Sequence, residues 1–464
     1  MIKVSFRNLG YIEDGEVEIK KLTILTGENN TGKTYVSYAL YGLMQKLGNV
    51  TFRYILDALN NLDGTGVIVI NLKDVLNKNL INTINTMSSE YTKSLSGIFS
   101  TSSETFKDSQ IKLKIDKESF LTRLKEQSFE SHRFSFASKD IRLEFTKEKD
   151  TYDVNIAYFN ISNMDNDKFF FYFFAQEICT KIFNVIQNGI FLLPAERAGL
   201  NLFYKELNIN RNRTVHELGT LKNEIKDEGK IIEYLNEKVS LYPKPISDYI
   251  DFLNKLEYYS KNLLTEFNDI VREIQSKIIG GKYLVDEKEI FFIPDNDKKM
   301  PNTKKMNLHI SSSTVKTFFG LVFYIEKLAE KGDMLIIDEP ELNLHPDNQR
   351  KIARIIAKLV NRGINVVIST HSDYIIKELN NLIMLNNNFN SKKELMSRYN
   401  YAQDELLDLN DISPYIFVNN TIKKMDINKY EGIIASSFDD VINEYNASAD
   451  DIYYTLQEEL DCEP

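Results

Sequence analysis

The run Gly27-Glu28-Asn29-Asn30-Thr31-Gly32-Lys33-Thr34 leaves a chain few choices. It fits G-x-x-x-x-G-K-[ST] without a mismatch, and that pattern binds phosphate only between a strand and a helix. Both flanks are present. Leu22-Thr23-Ile24-Leu25-Thr26 reads as a strand leading in, and Tyr35 to Leu43 reads as a helix leading out. Gly27 and Gly32 permit backbone conformations and close approaches that a side chain would block. The N–H groups along Asn29, Asn30, Thr31, Gly32, Lys33 and Thr34 then point at phosphate, and the positive end of the helix adds to the attraction. Lys33 is placed to reach the β- and γ-phosphates, and Thr34 to ligate Mg²⁺.

The length of 464 residues allows more than one core. Fifty-seven basic against 67 acidic residues give a net charge of −10, so a global basic footprint for nucleic acid is absent. The two cysteines, Cys179 and Cys462, fit no metal spacing and suggest a reducing compartment. The N-terminus carries no apolar signal segment. The longest apolar run, Phe169 to Ala175, is far below the roughly 20 residues that span a bilayer. A cytoplasmic protein without a membrane segment is expected.

Along the chain, residues 2–6 and 16–19 alternate as a hairpin ahead of the phosphate-loop strand. Residues 49–127 read as a mostly helical insertion. Residues 128–160 alternate as an antiparallel meander with one wet face. An aromatic-rich helix follows at 168–187, then a buried strand, Gly189 to Pro194. Residues 206–281 read as a second helical insertion, and two short strands lie near 283–285 and 289–293. The apolar runs 334–337 and 364–369 bracket a helix at 347–360, the pattern of a parallel β-α-β unit. The last stretch, 431–464, has ten acidic residues and no Lys or Arg, yet Phe438, Val441, Ile442 and Tyr445 keep helical spacing. A helix is expected there.

Met334-Leu335-Ile336-Ile337-Asp338-Glu339 is an apolar strand ending in two carboxylates. Asp338 is placed to hold Mg²⁺, and Glu339 to orient or deprotonate the attacking water. The residues that follow, Glu339-Pro340-Glu341-Leu342-Asn343-Leu344-His345-Pro346, resemble the D-loop region of the ABC-type ATPases of the RecF, SMC and OLD groups. Ile368-Ser369-Thr370-His371-Ser372 resembles their switch histidine. The resemblance implies that His371 contacts the γ-phosphate or the attacking water, and that Glu341 and Asn343 belong to the D-loop. It also implies a signature segment that completes the site of a second subunit. Ser311, Ser312 and Ser313 stand there, with serine where the family has glycine. Leu193-Pro194-Ala195-Glu196-Arg197 stands where the family has its Q-loop. Glutamine is missing, and Glu196 or Arg197 is the candidate substitute.

The fold implied is α/β: an ABC-type head from residues 1–48, 128–205 and 282–430, with an antiparallel β subdomain, a mainly parallel core sheet and the two helical insertions. The cofactors implied are ATP and Mg²⁺. The partner implied is a second copy, as a nucleotide-sandwich dimer or a higher even oligomer. Within that group the chain resembles bacterial ATPases of phage-defence operons, of the OLD-like, Septu and retron-associated kind. An ATP-hydrolysing switch gating a separate nuclease or toxin is therefore the expected function. No TOPRIM-like acidic strands follow His371, so no built-in nuclease is expected. The alternatives are a RecF-like DNA-repair ATPase, which keeps nucleic acid open as a partner, and a scaffold that binds nucleotide without hydrolysing it.

Overall fold

Leu22–Gly27 is buried at five of its six positions. Such a strand belongs in the middle of a sheet covered on both faces. The computed structural model, which describes residues 2–130, 134–136, 141–161, 168–207, 242–286, 289–295, 305–434 and 446–457, places it there. It is the fourth strand of a nine-stranded sheet. The order is Ile190–Leu193, Met334–Asp338, Asn365–Thr370, Leu22–Gly27, Ile412–Val418, Thr421–Lys424, Ile12–Ile19, Ile2–Leu9 and Gln110–Ile115. The first five run parallel to one another. Beyond them, Ile2–Leu9 pairs antiparallel with the strands on both its sides. The expected α/β fold, a parallel core with an antiparallel part, is what forms.

Register decides the chemistry. Asp338 pairs with Ser369, and Thr370 pairs with Thr26. The carboxylate strand, the switch strand and the phosphate-loop strand therefore end side by side at one edge of the sheet. The phosphate-loop helix, Lys33–Gly48, packs over these strands and is buried along most of its length. Pro346–Asn361 packs against Asn365–Thr370 and against the helix Asp373–Leu385. Its apolar residues Ile352, Ile355, Ile356 and Leu359 recur at helical spacing and are all buried.

A second sheet holds the meander. Asp153–Phe159 pairs antiparallel with Ile141–Lys147, which also pairs with Phe129–Glu130 and Phe134–Phe136.

Two strands depart from the sequence reading, and a third lies where that reading assigned no element. Gly66–Asn71, inside the segment read as mostly helical, joins the second sheet beside Asp153–Phe159. Gln110–Ile115, in the same segment, adds an edge to the main sheet. Residues 49–127 are thus woven into both sheets, and Tyr91 Oη donates to the Ala39 carbonyl of the phosphate-loop helix at 2.7 Å. The third is Ile412–Val418, which lies directly beside the phosphate-loop strand although Pro414 sits within it. Proline argues against an inner strand because it lacks a donor. Its carbonyl is still used, accepting from Met425 N at 2.9 Å.

The helical spacing of Phe438 to Tyr445 lies outside the described residues, as does most of the polar stretch 295–305. Residues 446–457 do form a helix. Among the described residues, no helix is long and apolar enough to cross a membrane.

Candidate functional site

The phosphate loop owes its shape to its two glycines. Gly27 has φ +139° and Gly32 has φ +100°, a region that favours glycine. At Gly27 space forbids a side chain as well, since a Cβ would stand 2.7 Å from the Phe417 carbonyl oxygen. Asn30 takes φ +63°, which asparagine tolerates. Glu28, Asn29 and Asn30 are exposed, while Lys33 is buried. The Lys33 ammonium lies across the loop, donating to Gly27 O at 2.9 Å and Glu28 O at 2.6 Å. Burial pushes Lys33 down to about 8, against the pull of Asp338, Glu339, Glu341 and Glu28.

Asp338 ends its strand fully enclosed. Thr34 Oγ1 donates to Asp338 Oδ2 at 3.1 Å, and Ser369 Oγ donates to Oδ1. Burial raises Asp338 to about 6, with Glu339 and Glu196 adding to the rise and the Ser369 and Thr34 hydroxyls opposing it. The sign of the stability effect follows. The folded state holds this proton more tightly than an ordinary aspartate near 3.8. The ionised form therefore costs stability above about pH 6, and the cost vanishes below the ordinary value. We expect Asp338→Asn to stabilise the nucleotide-free protein at pH 8 by on the order of 2–3 kcal/mol, with the gain shrinking as pH falls through 6. Urea unfolding at pH 8 and pH 5 measures this. An equal effect at both values contradicts it.

Glu339 takes φ +51°, uncommon for a residue with a side chain and a mark of functional sites. Its N–H donates to the Ser369 carbonyl at 3.0 Å, which fixes the turn. His371 Nε2 lies 3.8 Å from Glu339 Oε1. Burial and the neighbouring Lys33 hold the His371 imidazole below its ordinary value. A neutral imidazole offers one donor and one acceptor.

These residues fit Mg²⁺. Thr34 and Asp338 present a hydroxyl and a carboxylate oxygen, hard donors of the type this ion takes. Among the described residues no three His, Cys, Asp or Glu side chains gather as a metal site. An ion that draws most of its ligands from water and phosphate needs no such group.

The remaining expectations fare unevenly. Glu196 is exposed, accepts from Tyr38 Oη at 3.4 Å and acts on the charge of Asp338, so it faces the site. Arg197, the other Q-loop candidate, does not. Its guanidinium is buried and donates to the carbonyls of Pro194 at 2.9 Å, Asp338 at 2.6 Å and Glu339 at 2.6 Å. Arg197 is a strut under the carboxylate turn, and its donors face inward. Glu341 also points inward. Its Oε1 accepts from Thr370 Oγ1 at 2.9 Å and from the His371 N–H at 2.6 Å. The Glu341 carboxylate thus holds the backbone of His371. Asn343 is exposed; its amide donates to Thr317 Oγ1 at 3.1 Å, and its carbonyl accepts from Thr314 at 3.0 Å. These bonds tie the turn at Asn343 to the helix Ser313–Lys327. Ser312 caps that helix, accepting from Val315 N at 3.3 Å. Ser311 is buried, and Ser312 and Ser313 are exposed. Among the described residues no hydrogen bond joins these serines to the phosphate loop of the same chain. Sequence reasoning missed the role of Ser369. Its only signal was a hydroxyl, beside that of Thr370, at the end of the strand Asn365–Thr370.

The AAA ATPase domain family profile matches residues 1–376. No curated protein matches the sequence significantly. Among solved structures, the Smc head domain of Pyrococcus furiosus, bound to the C-terminal domain of ScpA, shares 12% identity over 96% of this chain and 100% of that one, with a TM-score of 0.30. The SMC head domain of Thermotoga maritima shares 9% over 92% and 98%, with a TM-score of 0.29. A RecF recombination mediator structure shares 12% over 91% and 97%, with a TM-score of 0.28. These likenesses are loose, and the site rests on its own geometry.

Proposed function

The chain belongs to the AAA ATPase domain family, and from that premise we propose that it binds and hydrolyses ATP with Mg²⁺ between two copies and works as a switch. One observation supports this above the others. Lys33, Thr34, Asp338, Glu339 and His371, scattered over 339 positions in sequence, lie at one edge of one sheet.

Each residue then has a task. The loop N–H groups and Lys33 hold the phosphates. Thr34 and Asp338 hold Mg²⁺, which when bound supplies charge neutralisation at phosphate oxygens. Glu339 orients and deprotonates the attacking water, and its fixed backbone limits where the carboxylate reaches. Neutral His371 hydrogen-bonds the γ-phosphate or that water. Glu341, through the His371 N–H, makes the position of the switch depend on the D-loop. Ser311 to Ser313 of a second copy close the site, their helix start offering N–H groups to phosphate. ATP shifts the pair towards closure only by its differential affinity for the closed state.

A mixing experiment tests the composite site. Lys33→Ala and Ser313→Glu each disable turnover alone. Mixed equally, about half the dimers pair one variant with the other and hold one intact site. Turnover near a quarter of the native rate is expected. A mixture as inactive as its components contradicts a site built from two chains.

The finer reading is a switch that gates a separate nuclease or toxin in anti-phage defence. It draws on the resemblance carried by the Pro194–Arg197 segment, the serine signature and the split head. Recovery of a nuclease-like or toxin-like protein in fixed ratio by affinity capture from the host tests it. The net charge of −10 weighs against the DNA-repair alternative, since DNA affinity rests on phosphate neutralisation.

A further inference from the structure

The strand Gly66–Asn71 ends the second sheet. Asp153–Phe159 pairs with one side of it, and among the described residues no strand pairs with the other. Leu72 N donates to the Tyr152 carbonyl at 2.9 Å, one place beyond the registered pair Asn71 and Asp153. Bonded and non-bonded pairs alternate along an antiparallel ladder. Ile68 and Ile70 therefore aim their N–H and C=O groups at Asp153–Phe159, and Val67 and Val69 aim theirs outward. Val67 is 64% exposed and Val69 58%.

An open edge templates a further strand, and proteins guard such edges with lysine, proline or a bulge. The chain guards its other antiparallel edge in this way. Gln110–Ile115, the last strand of the main sheet, exposes Lys112 and Lys114. Residues 64–71 carry neither charge nor proline. Their pairing with Asp153–Phe159 runs from Gly66 to Asn71 without a bulge. Val67 and Val69 are β-branched, which suits a pleated surface.

We propose that this edge pairs with the same edge of a second copy, antiparallel about a two-fold axis at Ile68. Val67 of each copy then lies opposite Val69 of the other, and the two exchange both N–H···O bonds of an antiparallel pair. The valines meet as cross-strand pairs on the exposed face. Charge favours a second copy as the occupant. Two copies of this strand meet without repulsion, whereas two copies of Gln110–Ile115 would set lysines against lysines. The strand's ends also differ in sign, with exposed Asp63 before it and exposed Lys73 after it. Antiparallel pairing about Ile68 brings the Asp63 end of each copy to the Lys73 end of the other. The contact closes on itself, so it gives a dimer and no filament. The strand supplies six residues a side, fewer than the roughly 20–30 of a standard interface, so the dimer is weak and reversible. No residue of the phosphate site takes part, and the pairing stands or falls independently of ATP turnover.

Sedimentation velocity of the full chain without nucleotide, over a range of concentrations, tests this. The native chain is expected to dimerise reversibly in the upper micromolar range. Val67→Lys combined with Val69→Lys copies the guard at 112 and 114, at exposed positions where folding is not at stake, and is expected to leave monomer. Val69→Thr keeps the branched shape and the backbone donor, and is expected to dimerise within a few-fold of native. Amide exchange at low and high concentration locates the contact. The Val67 and Val69 amides are expected to slow as the dimer forms, while those of Ile68 and Ile70 are slow throughout. A native chain that stays monomeric at every concentration overturns the pairing. So does a dimer that survives the paired lysines, or one in which Val67 and Val69 exchange as fast as in the monomer.

Discussion

Glu339→Gln is expected to lower ATP turnover roughly 100- to 10,000-fold, the range for losing a positioned general base, while ATP still binds. The substitution keeps size and hydrogen-bonding capacity and removes only the basic carboxylate. It leaves the φ of +51° and the Glu339 N–H to Ser369 bond untouched, because both belong to the backbone. Lys33, Thr34 and Asp338 keep their contacts, so nucleotide affinity stays within a few-fold of native. Steady-state phosphate release and equilibrium nucleotide binding on the same preparation separate the two effects. A variant that turns over at more than a tenth of the native rate removes Glu339 from the chemistry.

Arg197→Met is expected to be the most destabilising single change near the site. It leaves the buried carbonyls of Pro194, Asp338 and Glu339 without their shared donor. Hydrogen bonds to a charged group contribute about 1.5–3 kcal/mol each, and the relief of no longer burying the cation offsets part of that. A net loss of about 3–5 kcal/mol follows, read as a lower urea midpoint at unchanged slope. Turnover should fall further than stability alone explains, because the same donors hold the backbone of Asp338 and Glu339. Arg197→Lys rescues little, since an ammonium cannot reproduce the planar fork. Full stability in Arg197→Met would show that the strut is dispensable.

The contrast between these two residues shows what the sequence could reveal. The phosphate loop and the Asp338-Glu339 pair are local patterns, and each announces its chemistry within ten residues. The parallel β-α-β unit was equally plain, because its strands are buried on both faces. The direction in which Arg197 points is another matter. Two of its three partners, Asp338 and Glu339, lie more than 140 positions away, and only the sheet order brings them near. Glu341 belongs to a D-loop pattern, yet register turns its carboxylate towards His371. Strand Ile412–Val418 was hidden by Pro414, which lowers any reading of an inner strand. Gln110–Ile115 alternates in burial as a strand should, but it is six residues long and lies between helices.

The central claim is that two copies close on ATP, and the mass of Glu339→Gln with nucleotide tests it most directly. Light scattering with ATP and Mg²⁺ should give twice the mass found without nucleotide, and Lys33→Ala combined with Glu339→Gln should give no change. A protein that keeps one mass with and without ATP contradicts the account.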